Sequence, residues 1–282
     1  MKKFLIFIII VAALFSIVSS WLIFLPMESF SDKQVQFSVK KGEGSRDIAL
    51  SLEKNNLIRW APMFRIYVSA RGIAGDLKAG EYLLSPSMSI PEITDKFIKG
   101  EVIKINITIP EGFTVKQIEE RLGLELPGDN LEGFLFPDTY QFSFGFSGEE
   151  AVKKMQDNFE KKMAEDLREE IERQGKTIFE MVTMASLIEK EVRTLEDKKL
   201  VSGILWKRLE IGMPLQVDAE MWTYGNLGLP PKPICNPGLE SIMAAIYPEN
   251  SDYWYYLSTP EGETIFSKTL EEHNLAKIEH LK

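Results

Sequence analysis

The chain has 282 residues, of which 44% are hydrophobic and 27% are charged, a composition typical of globular proteins. This length accommodates a short targeting or anchoring segment followed by one or two compact domains. The formal net charge of -9 argues against nucleic-acid binding, because phosphates would repel the protein. Two His and one Cys leave little material for a His/Cys metal site, and Cys235 has no partner for an intrachain disulfide.

The first segment is an uncharged apolar run, Phe4–Leu25, preceded by Lys2–Lys3. About 20 apolar residues in a helix span a bilayer. The two lysines favour a cytoplasmic N-terminus, which would place the rest of the chain outside the cytoplasm. A signal peptide cleaved within Ser16–Ser20 is the alternative, but its apolar core normally has only about 7–15 residues. We therefore predict an uncleaved transmembrane anchor over 1–25, followed by a linker over 26–34.

The next stretch mixes strand and helix patterns. Alternating or apolar runs predict strands, and capping residues followed by spaced apolar residues predict helices. The predicted elements are a strand at Val35–Val39, a helix after Ser45 that carries Ile48 and Leu52, a helix at Pro62–Ala70, a strand at Gly80–Leu84, and a helix from the capping box Ser89–Glu92 to Ile98.

From about Gly145 the pattern is mostly helical. One long charged helix is predicted from Ser147 to Gln174, and a capping box at Thr177–Glu180 begins the next helix. The later elements are helices at Leu195–Leu209 and Leu239–Ile246, a loop at Pro230–Pro237, and strands at Tyr253–Ser258 and Thr264–Ser267. This order indicates an α+β fold without strict βαβ alternation.

The helix after Thr177 carries a carboxylate on an apolar stripe. At about 100° per residue, one narrow stripe contains Ile178, Val182, Ala185, Glu189 and Val192. Burial raises the pKa of a carboxyl group, which is what a general acid near neutral pH needs. Glu191 lies roughly 200° away and is expected to face elsewhere. The pattern alone leaves open that Glu189 pairs with a Lys or Arg, or caps a neighbouring helix.

Other polar groups occur in segments that suit a carbohydrate. Glu132–Tyr140 sets acids and hydroxyls among aromatic residues, whose faces match the apolar C–H faces of a sugar ring; the alternative is a packed loop with Asp138 as a turn residue. Gln216–Asp218 follows a helix end and a proline, where polar loop groups are often functional, and the alternative is an ordinary N-cap. Asn236–Gly238 reads as a turn.

At these residues the sequence resembles the endolytic murein transglycosylases. The resemblance covers nearly the whole chain after the predicted anchor. The matching blocks, in family order, are Glu132–Tyr140, Met184–Glu191, Gly212–Asp218, Gly228–Gly238 and Phe266–Asn274. Five blocks in one order make a far more specific match than any single motif.

The resemblance implies a single-pass protein of the cytoplasmic (inner) membrane whose N-terminus is inside and whose catalytic domain is extracytoplasmic. It implies a small LysM-like α+β domain that binds peptidoglycan, at 35–104, and a larger α+β catalytic domain at 105–282. The family's catalytic glutamate falls on Glu189. The residues predicted to contact substrate are Glu132, Asp138, Tyr140, Gln216, Asp218 and Asn236.

Members of the family cut the bond between N-acetylmuramic acid and N-acetylglucosamine inside nascent glycan strands. They leave 1,6-anhydro-muramyl ends and end strand growth beside peptidoglycan synthases. The resemblance therefore implies peptidoglycan strands as the substrate and synthases as partners, with no metal or organic cofactor.

Two departures from the family pattern affect the site. The stretch between Asp218 and Gly228 is short, so an arm or hairpin beside the cleft is expected to be missing. Thr264 stands where many members have a histidine. The rival interpretations are a non-catalytic, membrane-tethered peptidoglycan-binding protein, a muramidase that uses water, and a lyase of small metabolites, which the anchor argues against.

Overall fold

The structure is a computed structural model that describes residues 2–281, apart from the side chains at positions 2, 3, 5, 12–17 and 19. The chain divides into two compact units. The first comprises the chain up to Ile105 together with Gln141–Phe146, and the second comprises Asn106–Tyr140 and the chain from Ser147 onward. Each unit has its own hydrophobic core.

The N-terminal helix, α1 (Lys2–Phe24), ends against the core of the first unit. Leu22 and Ile23 pack on that core, and the Arg59 guanidinium lies 4.7 Å from the centre of the Trp21 ring. Within residues 2–281, as far as they are described, no helix combines the length and the apolar character needed to cross a membrane. The transmembrane anchor therefore stays a sequence-based prediction, part of which falls on side chains outside the described set.

The segment predicted as a linker is hydrogen-bonded to the first unit. The Arg59 guanidinium donates to the carbonyls of Pro26 and Met27 at 2.8 and 2.9 Å. The Glu28 N–H donates to the Pro86 carbonyl at 2.9 Å. These bonds tie the start of the linker to the first unit.

The first unit builds its core from strands and helices in the order strand, helix, helix, strand, helix. Its elements are β1 (Val35–Val39), α2 (Ser45–Lys54), α3 (Ala61–Ala70), β2 (Gly80–Leu84) and α4 (Ile90–Lys99). The two strands lie at the predicted positions and pair antiparallel. The predicted capping box also forms, since the Ser89 N–H donates to Glu92 Oε2 at 2.7 Å. The α4 residue Phe97 is fully buried at the centre of this core.

The rest of the chain confirms the α+β class, with helices and short two-stranded sheets. The remaining elements are β3 (Lys104–Thr108), α5 (Val115–Leu122), β4 (Thr139–Ser143), α6 (Gly148–Lys162), α7 (Glu165–Arg173), α8 (Ile178–Glu191), α9 (Leu195–Glu210), α10 (Trp222–Gly225), α11 (Leu239–Ile246), β5 (Tyr255–Ser258), β6 (Thr264–Ser267) and α12 (Leu270–His280). Strand β3 pairs with β4, and β5 pairs antiparallel with β6. The sequence patterns missed β4, α10 and α12.

The prediction of one helix from Ser147 to Gln174 is wrong. The helix stops at Met163, whose backbone leaves the helical region, and α7 begins at Glu165. The Met163 side chain is buried in the second core, and its carbonyl accepts a hydrogen bond from Arg168 Nε at 2.8 Å. Burying this side chain therefore breaks a run of residues whose local sequence favours one helix.

Helix α8 is the centre of the second unit. Its residues 181–188 are all buried, because α7, α9 and α11 all pack around it. A helix enclosed in this way has no solvent-facing side over most of its length. Both end turns reach the surface, and the C-terminal turn carries both glutamates of the Glu189–Glu191 sequence.

Candidate active site

Glu189 is held by an interior ion pair. Its Oε2 accepts hydrogen bonds from the Ser241 hydroxyl at 2.5 Å and from the Gly238 N–H at 3.1 Å, and it lies 3.5 Å from Lys198 Nζ. The side chains of Glu189 and Lys198 are 9% and 4% exposed. Pairing with a lysine is the alternative that the sequence pattern had left open.

The neighbouring Gly238 allows this arrangement. A Cβ atom there would lie 2.0 Å from Oε1 of Glu111, so any side chain would displace either the backbone or that carboxylate. Burial raises the pKa of Glu111, with the charge of Glu189 adding to the effect and that of Lys198 opposing it. Glu189 thus belongs to a packed network of charges.

These contacts favour the ion-pair alternative over a catalytic role for Glu189, and that role stays a prediction from the sequence. The buried lysine, the hydroxyl and the N–H all hold the same oxygen, Oε2, in the interior. Glu189 also lines none of the three cavities described in the second unit. The apolar stripe failed as a guide because α8 is buried on every side, so that the stripe faces packed protein.

Glu191, which was expected to face elsewhere, lines an open cavity of about 620 Å³. It is the last residue of α8, and its Oε1 accepts the Ala219 N–H at 3.2 Å. Burial raises the pKa of Glu191; the Ala219 hydrogen bond opposes that shift and the charge of Asp218 adds to it. The buried hydroxyl of Tyr256 also interacts with this carboxyl group, although it makes no hydrogen bond of ordinary geometry. Glu191 is therefore both desolvated and reachable.

Two predicted substrate contacts, Gln216 and Asp218, line the same cavity. Gln216 has a φ of 50°, which is rare for a residue with a side chain. The loop is folded back on Thr223, whose carbonyl accepts the Gln216 N–H at 3.2 Å and whose hydroxyl accepts the Val217 N–H at 2.9 Å. The strained loop thereby presents both side chains to the cavity, where the Tyr224 hydroxyl donates to Asp218.

Aromatic residues form another wall of this cavity. The Tyr255 ring stacks on the His273 ring with their centres 5.3 Å apart. The guanidinium of Arg208 lies 5.4 Å from the centre of the same tyrosine ring, and it donates to the Trp254 carbonyl. Burial lowers the pKa of His273, and the charges of Lys277 and Arg208 add to this effect. The wall is thus a rigid face of rings, which suits a sugar.

A second cavity, of about 520 Å³, shares Lys190 and Ala219 with the first. The predicted contact Glu132 lies in its lining. Burial raises the pKa of Glu132, while the Val115 N–H and the charges of Lys232 and Lys190 oppose the shift. Glu132 therefore lies at an open cavity, and its contact with substrate stays a prediction.

Asn236, another predicted substrate contact, is fully buried. Its Oδ1 accepts the Leu135 N–H at 2.8 Å, and its Nδ2 donates to the Phe113 carbonyl at 3.0 Å and to Glu132 Oε1 at 3.1 Å. With every side-chain polar atom used, Asn236 ties three loops together and does not reach a substrate. The prediction for this residue is wrong for that reason.

The side chains of Asp138 and Tyr140 are also hydrogen-bonded to other groups of the protein. Asn158 Nδ2 donates to Asp138 Oδ2 and to the Tyr140 hydroxyl, each at 3.0 Å, and the tyrosine donates to the Phe136 carbonyl. Burial raises the pKa of Tyr140 to about 12. Neither residue lines either cavity. The alternative interpretation of a packed loop with Asp138 as a turn residue fits these contacts. Asp138 is exposed, and the substrate contacts of the two residues stay predictions.

Sequence reasoning also missed Trp222 and Tyr256, which line the two cavities. They lie in a short helix and a short strand with too few residues for a periodic signal. For Glu191 a signal did exist, because the last turn of an enclosed helix is where a carboxylate can be both partly buried and open to solvent. Thr264, which replaces the family histidine, donates to Asp197 Oδ2 at 3.0 Å.

Comparison with known proteins now decides the family. The chain matches the model of the YceG-like family over residues 37–222 and 221–279. It belongs to the YceG-like family. The match is broken at residues 221–222, within the Asp218–Gly228 stretch that was expected to be short for its family.

Similar proteins of the YceG-like family support this membership. The chain is 29% identical to the endolytic murein transglycosylase of Bacillus subtilis (strain 168), over 91% of the chain and 87% of that protein. It is 27% identical to that of Streptococcus pneumoniae (strain D39), over 91% of the chain and 60% of the longer relative. The crystal structure of a yceG-like protein from Listeria monocytogenes superposes with a TM-score of 0.56 and 31% identity, covering 88% of this chain and all of the other.

Proposed function

We propose that this YceG-like protein is an endolytic murein transglycosylase that cuts peptidoglycan glycan strands with Glu191 as its acid/base. The relatives with that name support the reaction class. One observation carries the residue assignment: the Glu191 carboxyl group is largely desolvated, yet it lines an open cavity with polar and aromatic walls. A carboxylic acid with a raised pKa can hold its proton at the pH where it must donate it.

In the first step, protonated Glu191 donates its proton to the glycosidic oxygen between the two sugars. The bond from that oxygen to C1 of N-acetylmuramic acid breaks, and C1 acquires oxocarbenium character. The released sugar leaves with a new hydroxyl group. The Asp218 charge promotes this step by keeping the proton on Glu191 until it is needed.

In the second step, the C6 hydroxyl of the same muramic acid attacks C1, and the Glu191 carboxylate takes its proton. The product is a 1,6-anhydro ring, no water is consumed, and the enzyme returns to its starting state. Ordinary glycosidases use two carboxylates, because one of them must activate water or act as nucleophile. An attacking hydroxyl on the same sugar gains from proximity, so one acid/base group is sufficient.

The test compares two single variants, one at position 189 and one at position 191 of the same helix. The full chain in detergent is incubated with purified glycan strands, and the new ends are identified by mass spectrometry. The wild type is expected to give anhydro-muramyl ends. Glu191→Gln is expected to abolish them, whereas folded Glu189→Gln keeps measurable turnover.

The other outcomes are equally informative. Loss of activity in Glu189→Gln with retention in Glu191→Gln would restore the assignment made from the sequence. Ends that have gained one water would identify a hydrolase. Binding of strands without cleavage by the wild type would favour a non-catalytic peptidoglycan-binding protein.

The finer parts of the proposal concern location and partners. The uncharged run Phe4–Leu25 after two lysines supports a single-pass anchor in the cytoplasmic membrane, with the catalytic unit on the outside. The separate core of the first unit supports a LysM-like peptidoglycan-binding module, and action beside synthases would end strand growth. Cell fractionation with external protease tests the topology: the second unit is expected to be digested in spheroplasts, and protection would contradict an outward orientation.

A further inference from the structure

The second cavity contains two cations without an ion-pair partner. Lys190 and Lys232 both line it, and no ion pair in the described part of the chain involves either one. Both side chains are exposed at the rim, and both charges act on Glu132 in the lining. The lining also holds two carboxylates, Glu132 and Glu220. Glu132 accepts from the Val115 N–H and from Asn236 Nδ2, and Glu220 accepts from the Trp222 N–H at 3.1 Å. The two ammonium groups can therefore pair with an anion from outside.

The same cavity offers a surface for a sugar ring. Trp222, half-buried, lines it together with Pro230, Pro231 and Pro233. An indole ring beside proline rings makes an apolar platform, and the apolar face of a pyranose packs on such a surface. The cavity thus combines a face for a sugar with positive charge at its rim.

The two cavities form parts of one path along the surface of the second unit. Lys190 and Ala219 line both, and Lys190 directly precedes the proposed acid/base Glu191. An enzyme that cuts inside a strand must hold sugars on both sides of the broken bond. A strand that places its reacting bond at Glu191 therefore reaches the second cavity with the sugars on one side of that bond.

We propose that the Trp222 cavity binds the strand on one side of the cut, with a sugar against Trp222 and a peptide-stem carboxylate of muramic acid paired with Lys232 and Lys190. This inference rests on the proposed function, because it takes a peptidoglycan strand as the ligand. Charge selects the stem as the anion: glycan hydroxyls are neutral, whereas the stem carries free carboxylates. A charge-assisted hydrogen bond to carboxylate is stronger than one between neutral groups.

The test uses two forms of the same strands. One keeps its peptide stems, and from the other an amidase has removed the stems and the lactyl carboxylates so exposed have been converted to neutral amides. Binding to the full chain and cleavage by it are both measured. Lys232→Met removes the charge and keeps the aliphatic stem, and Lys161→Met on α6, which lines neither cavity, is the matched control. Trp222→Ala removes the platform.

Lys232→Met is expected to weaken binding and kcat/KM about tenfold on stem-bearing strands, with little change on stem-free strands. Trp222→Ala is expected to weaken both forms by a similar factor, because both carry the sugar. The control should change neither. Equal effects of Lys232→Met on both forms, or no effect on either, would overturn the assignment of the stem.

Failure of the proposed function gives a different pattern. If the wild type produces no anhydro ends from either form, the catalytic proposal fails. Binding then still decides the cavity: a preference for stem-bearing strands that Lys232→Met removes supports the proposal, and its absence overturns it.

Discussion

Glu189 and Glu191 are identical side chains two positions apart, yet their surroundings differ completely. A two-residue step along a helix turns the side chain by roughly 200°. One carboxyl group meets Lys198 and Ser241 in the interior, and the other meets a cavity and the hydroxyl of Tyr256. The difference predicts opposite effects on stability when each is replaced.

Glu191→Gln is expected to raise the melting temperature at pH 7, and Glu189→Gln is expected to lower it. The raised pKa of Glu191 in the folded state means that its protonated form favours folding, and that this stability is lost as pH rises through that pKa. A neutral Gln cannot ionise, so it keeps that stability at pH 7. At position 189 a neutral side chain removes the nearer of the two carboxylates that pair with the buried Lys198 and leaves only Glu240, at 3.9 Å. Breaking a buried pair in this way costs about 3 kcal/mol. Thermal melts check both, and a lower melting temperature for both variants would contradict the assignment.

The charge of Asp218 predicts a shift in the pH dependence of activity. Because that charge helps to raise the pKa of Glu191, Asp218→Asn is expected to lower it. The acid form would then be lost at a lower pH, so the alkaline limb of the kcat/KM profile moves toward acid. The profile on glycan strands is the measurement, with the exposed Asp157→Asn on α6 as the matched control. A limb that stays in place would mean that Glu191 is not the group titrating.

At the scale of elements, capping boxes and alternating strands located several boundaries from the sequence. The Ser89 and Thr177 boxes gave the starts of α4 and α8, and the runs at Val35–Val39 and Gly80–Leu84 gave β1 and β2. These signals involve residues that are close in the chain, so one sequence contains them.

The misses have two causes. Helix α12 begins at a local capping box, Thr269–Glu272, that was overlooked, whereas other features depend on distant contacts. The break at Met163 exists because the core needs that side chain, and no local residue marks it. The candidate site failed for the same reason, since the neighbours of Glu189 come from α9 and α11. Periodicity says that one face of α8 is apolar, but it does not say that the other faces are covered as well.

Gly203 in α9 predicts an unusual cost for alanine. Glycine inside a helix is normally about 1 kcal/mol less favourable than alanine. Here the added Cβ would lie 2.0 Å from the carbonyl oxygen of Glu249, so either the helix or that loop must shift. Gly203→Ala is expected to lower the free energy of unfolding by about 1–3 kcal/mol, as overpacking does. Denaturant titration measures it.

The matched control is Gly225→Ala in α10. A Cβ at that position meets no atom within 4 Å, so this variant is expected to unfold with the wild type. A gain in stability for Gly203→Ala would show that the Glu249 carbonyl gives way without penalty.

At the scale of the whole molecule, the two separate cores predict that a substitution in one core destabilises that unit and not the other. In the first core, Phe97 contacts the rings of Phe37, Phe64 and Tyr82, with centres 4.7 to 6.4 Å apart. Phe97→Ala is expected to cost about 3–5 kcal/mol. Hydrogen exchange should accelerate in β1 and α4 but not in the buried turns of α9, because protection reports local opening. Equal acceleration in both units would show one cooperative core.

The order of the elements predicted the α+β class. It did not predict the division into units, because a later segment of the chain folds back onto the first unit. Gln141–Phe146 belongs to the first unit although it lies within the sequence of the second. The Phe144 N–H donates to the Ile103 carbonyl at 2.9 Å, across 41 residues. Pairings of this kind depend on the packed structure rather than on neighbouring residues.

Lys190 and Ala219 line both cavities, so the two cavities are close enough for one linked inhibitor to reach both. Two small fragments, each weakly bound in its own cavity, could be joined by a brief tether. Joining them gives the second fragment an effective concentration in the mM range, so the linked compound can bind about 100-fold or more tightly than either half. Such a compound would occupy both sides of the cutting position at once and would block the strand itself.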